Sequence, residues 1–125
     1  MEVKPNTIFA PFENDVHTDH QIISLAIQSS IKWFRHKYIE EVFLYETLSE
    51  TNFNRMNSES FKPNTYYDIT KFLNSKIKIM KIYKSEILPH PFPRSEISIK
   101  SLANLRGSEC GFKAAEAFKL IYKKI

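Results

Sequence analysis

The run TIFAPF (7–12) is continuously apolar, β-branched or aromatic, and includes a proline near its end, a pattern that predicts a short buried strand. After the polar turn Glu13, Asn14 and Asp15, the apolar positions Ile23, Ile27, Ile31 and Phe34 recur three and four residues apart. That spacing predicts an amphipathic helix, capped by Thr18 or Asp19 and ending near His36. EVFLYET (41–47) reads as a second strand and TYYDI (65–69) as a third, separated by the polar loop SETNFNRMNSESFKPN (49–64), which exceeds the usual connection length. Leu73, Ile77, Met80, Tyr83 and Ile87 mark the apolar stripe of a second helix with Thr70 as its cap. Three prolines in LPHPFPRS (88–95) then break it. Ser95 opens a third helix that turns Ile99, Leu102 and Leu105 inward and stops at Gly107. In the tail, residues 114–117 suit a helix while FKLIY suits a strand. Strands alternate with helices, so the expected fold class is α/β with a largely parallel sheet.

At 125 residues and 42% hydrophobic content, the chain can bury one modest core, so a single domain over 1–125 is expected. No internal repeat or low-complexity segment interrupts it. The formal charge of +4 is spread over isolated lysines with acids between them, the pattern of a solvated surface, and nucleic acid is not an expected partner. One cysteine, Cys110, forms neither an internal disulfide nor a cysteine-rich metal site, which suits a reducing compartment. No apolar stretch approaches the ~20 residues of a membrane span, and MEVKPNTIF lacks the apolar core of a signal peptide, so a cytoplasmic location is expected. Two glycines cannot build a glycine-rich phosphate loop.

Ligand-type side chains converge in one place, PFENDVHTDH (11–20), where His17 and His20 stand three residues apart at a helix start. Within one helical turn both rings can face one pocket, neutral imidazole is a zinc ligand, and Asp19 could hold a ring nitrogen of His17. The competing reading is that Asn, Asp, Thr and His gather at helix starts because they satisfy free N–H groups, and H-x-x-H alone does not make a metal site. His36 falls at a helix end and His90 in the proline bend, so neither adds a ligand. Phe9, Phe12, Trp33 and Phe34 are expected in the core rather than on a sugar-stacking surface.

Taken together, TIFAPFENDVHTDH, VFLYET and FPRSEISIKSLANLRGSECGFKAAEAF resemble, in content and order, the PIG-L/LmbE family of zinc-dependent N-deacetylases. The resemblance implies the C-terminal part of a Rossmann-like three-layer sandwich and hydrolysis of the acetamide of an N-acetylated amino sugar, of N-acetylglucosamine type in a glycoconjugate or nucleotide sugar. It also implies that His20 is one ligand of Zn2+. His17 would be the donor to the oxyanion or the acid for the departing amine, with Asp19 orienting it. Arg106 would line the pocket or brace Glu116; the alternative is that Arg106 neutralises a helix C-terminus. Arg94 and the pair Glu46 and Thr47 match family positions without an assigned role.

One departure matters. The family's other metal ligands and its general base come from an H-P-x-D-D motif, and residues 1–125 contain none. A single imidazole does not hold zinc against water, so the chain is expected to be inactive alone and to need a complementing N-terminal half. The missing first strand would leave the edge of TIFAPF unpaired and open to self-association. Two other classes remain: a metal-free pseudoenzyme or sugar-binding remnant, and a basic nucleic-acid-binding module built on RHK and IYKK.

Overall fold

A computed structural model describes residues 3–56 and 59–125. The elements run β1 (Thr7–Pro11), α1 (Thr18–Ser30), β2 (Glu41–Tyr45), a short 3-10 turn (Thr51–Phe53), β3 (Thr65–Asp68), α2 (Leu73–Met80), α3 (Glu96–Cys110) and β4 (Ala115–Lys123). The fold is α/β, with a four-stranded sheet ordered β1-β2-β4-β3. Two compact units divide the chain, one formed by Met1–Thr65 with Phe118–Ile125 and the other by Tyr66–Ala117. Residues 57 and 58 of the long loop lie outside the described residues. No helix among the described residues is long and apolar enough to cross a membrane.

The sheet is mixed rather than largely parallel. β1 and β2 are parallel, with Phe9 opposite Phe43, because α1 supplies the crossover that parallel strands need. β4 runs antiparallel to β2, with a bulge between Val42 and Phe43. Backbone bonds from Asn64 N to Phe118 O (2.9 Å) and from Ile69 N to Ala114 O (3.0 Å) run in opposite numerical order, so β3 and β4 are antiparallel as well. The alternation of strands and helices fixes direction only across β1, α1 and β2. Between β3 and β4 lie two helices and a proline bend, enough chain to reverse course.

In the first unit, Ala10, Phe12 and Leu44 form a buried cluster with Ile27, Phe61 and Ile121 packed against it. Phe12 meets Phe61 edge-on at 5.2 Å, while Phe9 stacks on Phe43 at the same centroid distance. α1 is shorter than its periodicity suggests. The hydroxyls of Ser29 and Ser30 bond back to the carbonyls of Leu25 and Ala26 (2.9 and 2.8 Å), local contacts that compete with continued helix, and the helix ends at Ser30. Trp33 and Phe34 therefore fall beyond it and stand exposed, Trp33 at 68%. Of the four aromatic residues expected in the core, Phe12 is buried, Phe9 is half-exposed, and Trp33 and Phe34 are outside.

In the second unit, Thr70 does not cap α2: its hydroxyl accepts from Ala114 N (3.4 Å), and the cap position, Phe72, makes no side-chain bond. Ile77 alone of the expected stripe is fully buried. Ser95 does cap α3, accepting from Ser98 N at 3.2 Å. The helix passes through Gly107 and ends at Gly111, whose φ of 85° is the left-handed conformation suited to glycine. Gly107 is buried inside α3 for a different reason. A β-carbon there would lie 2.5 Å from the carbonyl oxygen of Phe112 and 2.9 Å from Ala114 N. The ambiguous tail is strand β4, with Ala115, Ala117 and Phe118 buried.

Candidate active site at the start of helix α1

The first unit folds Glu13 to His20 into a turn that leads from β1 into α1. His17 takes the N-cap position, with extended backbone (φ −74°, ψ 123°), and its Nδ1 accepts a hydrogen bond from Asp19 N at 3.2 Å. An imidazole thus does what Ser or Asp usually does, and accepting through Nδ1 places the ring proton on Nε2. The Asp19 carboxylate lies 3.9 Å from that nitrogen and is largely exposed, so the group that orients His17 is the Asp19 backbone N–H rather than its side chain.

The carboxylate that engages an imidazole is Asp15, a residue the sequence pattern marks only as a turn former. Asp15 is fully buried, and its Oδ2 lies 2.7 Å from Nδ1 of His20. Its Oδ1 accepts from Thr51 Oγ1 at 2.6 Å. The segment bearing Thr51 is tied to the same turn: Val16 N donates to Glu50 O at 3.4 Å, and Asn54 Nδ2 donates to Asn14 O. Gln21 closes the ring by donating to the Asp15 carbonyl at 2.7 Å. An aspartate five residues before the second histidine of H-x-x-H is the sequence signal for this contact. Thr51, in the polar loop, carries no signal at all.

Burial pushes the Asp15 carboxyl above the usual aspartate range; the hydrogen bonds from Thr51 and His20 pull the other way, and the charge of Glu50 adds to the rise. Tyr45, at the end of β2, is also raised, by burial first and the Asp15 charge second. Against the desolvated Asp15 carboxyl sits His20. Its ring stacks on that of His17, with centroids 5.2 Å apart and planes 29° apart, and its side chain is 24% exposed.

A carboxylate on Nδ1 selects the tautomer that leaves the Nε2 lone pair free, the arrangement found behind metal-bound histidines. His20 thus fits the part of a single metal ligand. Among the described residues, however, no three His, Cys, Asp or Glu side chains come together to hold an ion. The donor set of the described residues does not by itself fit zinc.

Arg106 belongs to the other unit. Its NH1 donates to both oxygens of Glu109 (2.8 and 3.1 Å) one helical turn on, and Tyr66 OH donates to the same carboxylate at 3.0 Å. Glu116 is paired with Lys76 at 2.6 Å. His36, beyond the end of α1, pairs with Tyr38 OH at 3.0 Å, and His90 is exposed in the proline bend.

No established protein-family profile matches the sequence. Among solved structures, the fold is similar to that of a conserved protein, TT1542, from Thermus thermophilus, with a TM-score of 0.68 at 22% identity. The match covers 98% of this chain and 54% of the other, so the chain spans about half the length of that protein. At this identity the likeness concerns the fold.

Proposed function

We propose that residues 1–125 form the C-terminal part of a zinc-dependent N-deacetylase of the PIG-L/LmbE type, Rossmann-like in its complete architecture, whose substrate is the acetamide of an N-acetylated amino sugar. The observation that carries this reading is the contact of buried Asp15 with Nδ1 of His20, which leaves one imidazole nitrogen free for a metal. The order of HTDH, LRGSECG and AEAF along the chain supports it.

Bound zinc would polarise the amide carbonyl and supply an activated water. Within this chain, His20 holds one coordination position and Asp15 positions it. His17 offers its Nε2–H as donor to a developing oxyanion or acid to a departing amine. The remaining ligands and the general base come from a segment bearing H-P-x-D-D outside residues 1–125. That segment docks on the edge of β1, which among the described residues has a sheet neighbour on one side only. α1 exposes Ile22 and Leu25 in the same unit, apolar surface that a docked segment would cover. Self-association through this edge competes with docking.

Co-expression with such a segment tests the proposal. The expected result is a complex that retains zinc and releases acetate from N-acetylglucosamine derivatives, both lost in His20→Ala. A stable complex with neither property overturns it. A second reading, a metal-free sugar-binding remnant, is favoured by the lack of a three-ligand cluster among the described residues. Binding of N-acetylglucosamine by the chain alone, unchanged by chelator, would select it.

A further inference from the structure

The segment from Lys71 to Lys84 contains five lysines and no acid, interleaved with Phe72, Leu73, Ile77, Ile79, Met80, Ile82 and Tyr83. Its core is α2, followed by tight turns in which Ile82 N bonds to Ile79 O and Tyr83 N to Met80 O (both 3.0 Å). The helix buries Ile77. Phe72 and Ile79, seven residues apart, share the opposite face. Phe72, Ile79, Ile82 and Tyr83 are between 57% and 73% exposed. Lys76 and Lys81 are held by Glu116 and Glu96 (2.6 Å each), whereas Lys78 and Lys84 make no ion pair among the described residues. Beside this face a groove of about 510 Å³ opens, whose lining includes apolar Ile87, Leu88 and Ile97 together with Lys81, Lys100 and Glu96.

We infer that this face of the second unit is a peripheral docking surface for an anionic lipid membrane. Lysines flanking outward aliphatic and aromatic side chains match the two layers of such a surface. The ammonium groups meet phosphate and carboxylate headgroups, and the apolar side chains enter the acyl boundary. Ile79 and Ile82 decide against nucleic acid, because a polyphosphate backbone offers aliphatic side chains no apolar partner and stacking needs flat ones. The contact is with the surface, since no described helix can span a bilayer. It is independent of the histidine site and of any metal.

Co-sedimentation of the full chain with vesicles tests this directly. Binding is expected to phosphatidylcholine vesicles containing phosphatidylserine and not to phosphatidylcholine alone. The double variant Lys78→Gln, Lys84→Gln should weaken it roughly thirtyfold, from the contribution of each lysine near an anionic surface. Ile79→Ser with Ile82→Ser should weaken it as well, although every lysine is kept. Inorganic phosphate should release the chain no more than chloride of equal ionic strength, which separates a bilayer from a free anion. Absence of binding at low salt, binding indifferent to the lysines, loss to phosphate alone, or tighter salt-dependent binding to RNA than to vesicles would each overturn the inference.

Discussion

Met1–Thr65 with Phe118–Ile125 carries nine basic and nine acidic residues, whereas Tyr66–Ala117 carries nine basic and five acidic, so the whole formal excess of +4 sits in the second unit. Both units leave apolar side chains in solvent. In the first, α1 exposes Ile22 and Leu25 with no lysine or arginine between Thr18 and Ser30. In the second, α2 and its continuation expose Phe72, Ile79 and Ile82 among lysines. Exposed apolar area therefore has no single meaning. An apolar face without lysine or arginine suits another polypeptide, and a lysine-laced face suits an anionic surface.

The strongest way to sharpen this contrast is to truncate one aromatic residue of each unit. Phe12→Ala should destabilise the chain by about 3–5 kcal/mol in urea unfolding, because the ring is buried against Leu44 and Phe61. Phe72→Ala, on the exposed face, should change little. Asp15→Ala comes next, at about 2–3 kcal/mol, since it leaves the Thr51 hydroxyl and the His20 ring without their buried partner. Asp19→Ala removes only an exposed first-turn charge and should stay within about 1 kcal/mol.

Acid titration should separate the units by sign. Asp15 has a folded pKa raised above its ordinary 3.8, so the native state binds more protons than the unfolded chain in the window above that value. Stability contributed there falls as pH rises through the window, and Asp15→Asn should abolish the fall. Glu96 is held down to about 2 by the ammonium of Lys100 and then that of Lys81. Its contribution is present above the ordinary 4.5 and is lost as pH falls toward 2, and added salt should shrink it because the group is exposed. The smallest effect expected on stability is that of Lys78→Gln, within about 0.5 kcal/mol by thermal unfolding.

Much of this architecture was legible in the residues. β1, β2 and β3 follow β-branched and aromatic runs, and Ser95 before Glu96 marks a true helix cap. The misreadings share a cause, since periodicity reports which side chains could be buried and not where a helix ends. Ile31 and Phe34 continue the stripe of α1 on paper, but the helix ends at Ser30. Gly107 looks like a stop, yet the helix keeps it because the chain returns within contact distance of its Cα. In the histidine turn, HTDH displays both imidazoles and the residue that contacts His17, but not the carboxylate that meets His20. Asp19 is adjacent in sequence, whereas Asp15 reaches His20 because the turn before α1 folds back beneath the helix start. Thr51 completes that contact from 36 positions away, a separation no local pattern encodes.

Metal binding at this turn depends on which nitrogen of His20 bears the proton. Long-range proton–nitrogen NMR of the isolated chain, at a pH where the ring is neutral, reads this directly. Protonation at Nδ1, with a free lone pair at Nε2 and loss of that preference in Asp15→Ala, is the expected result. A His20 ring protonated at Nε2, or a tautomer indifferent to Asp15, would contradict it.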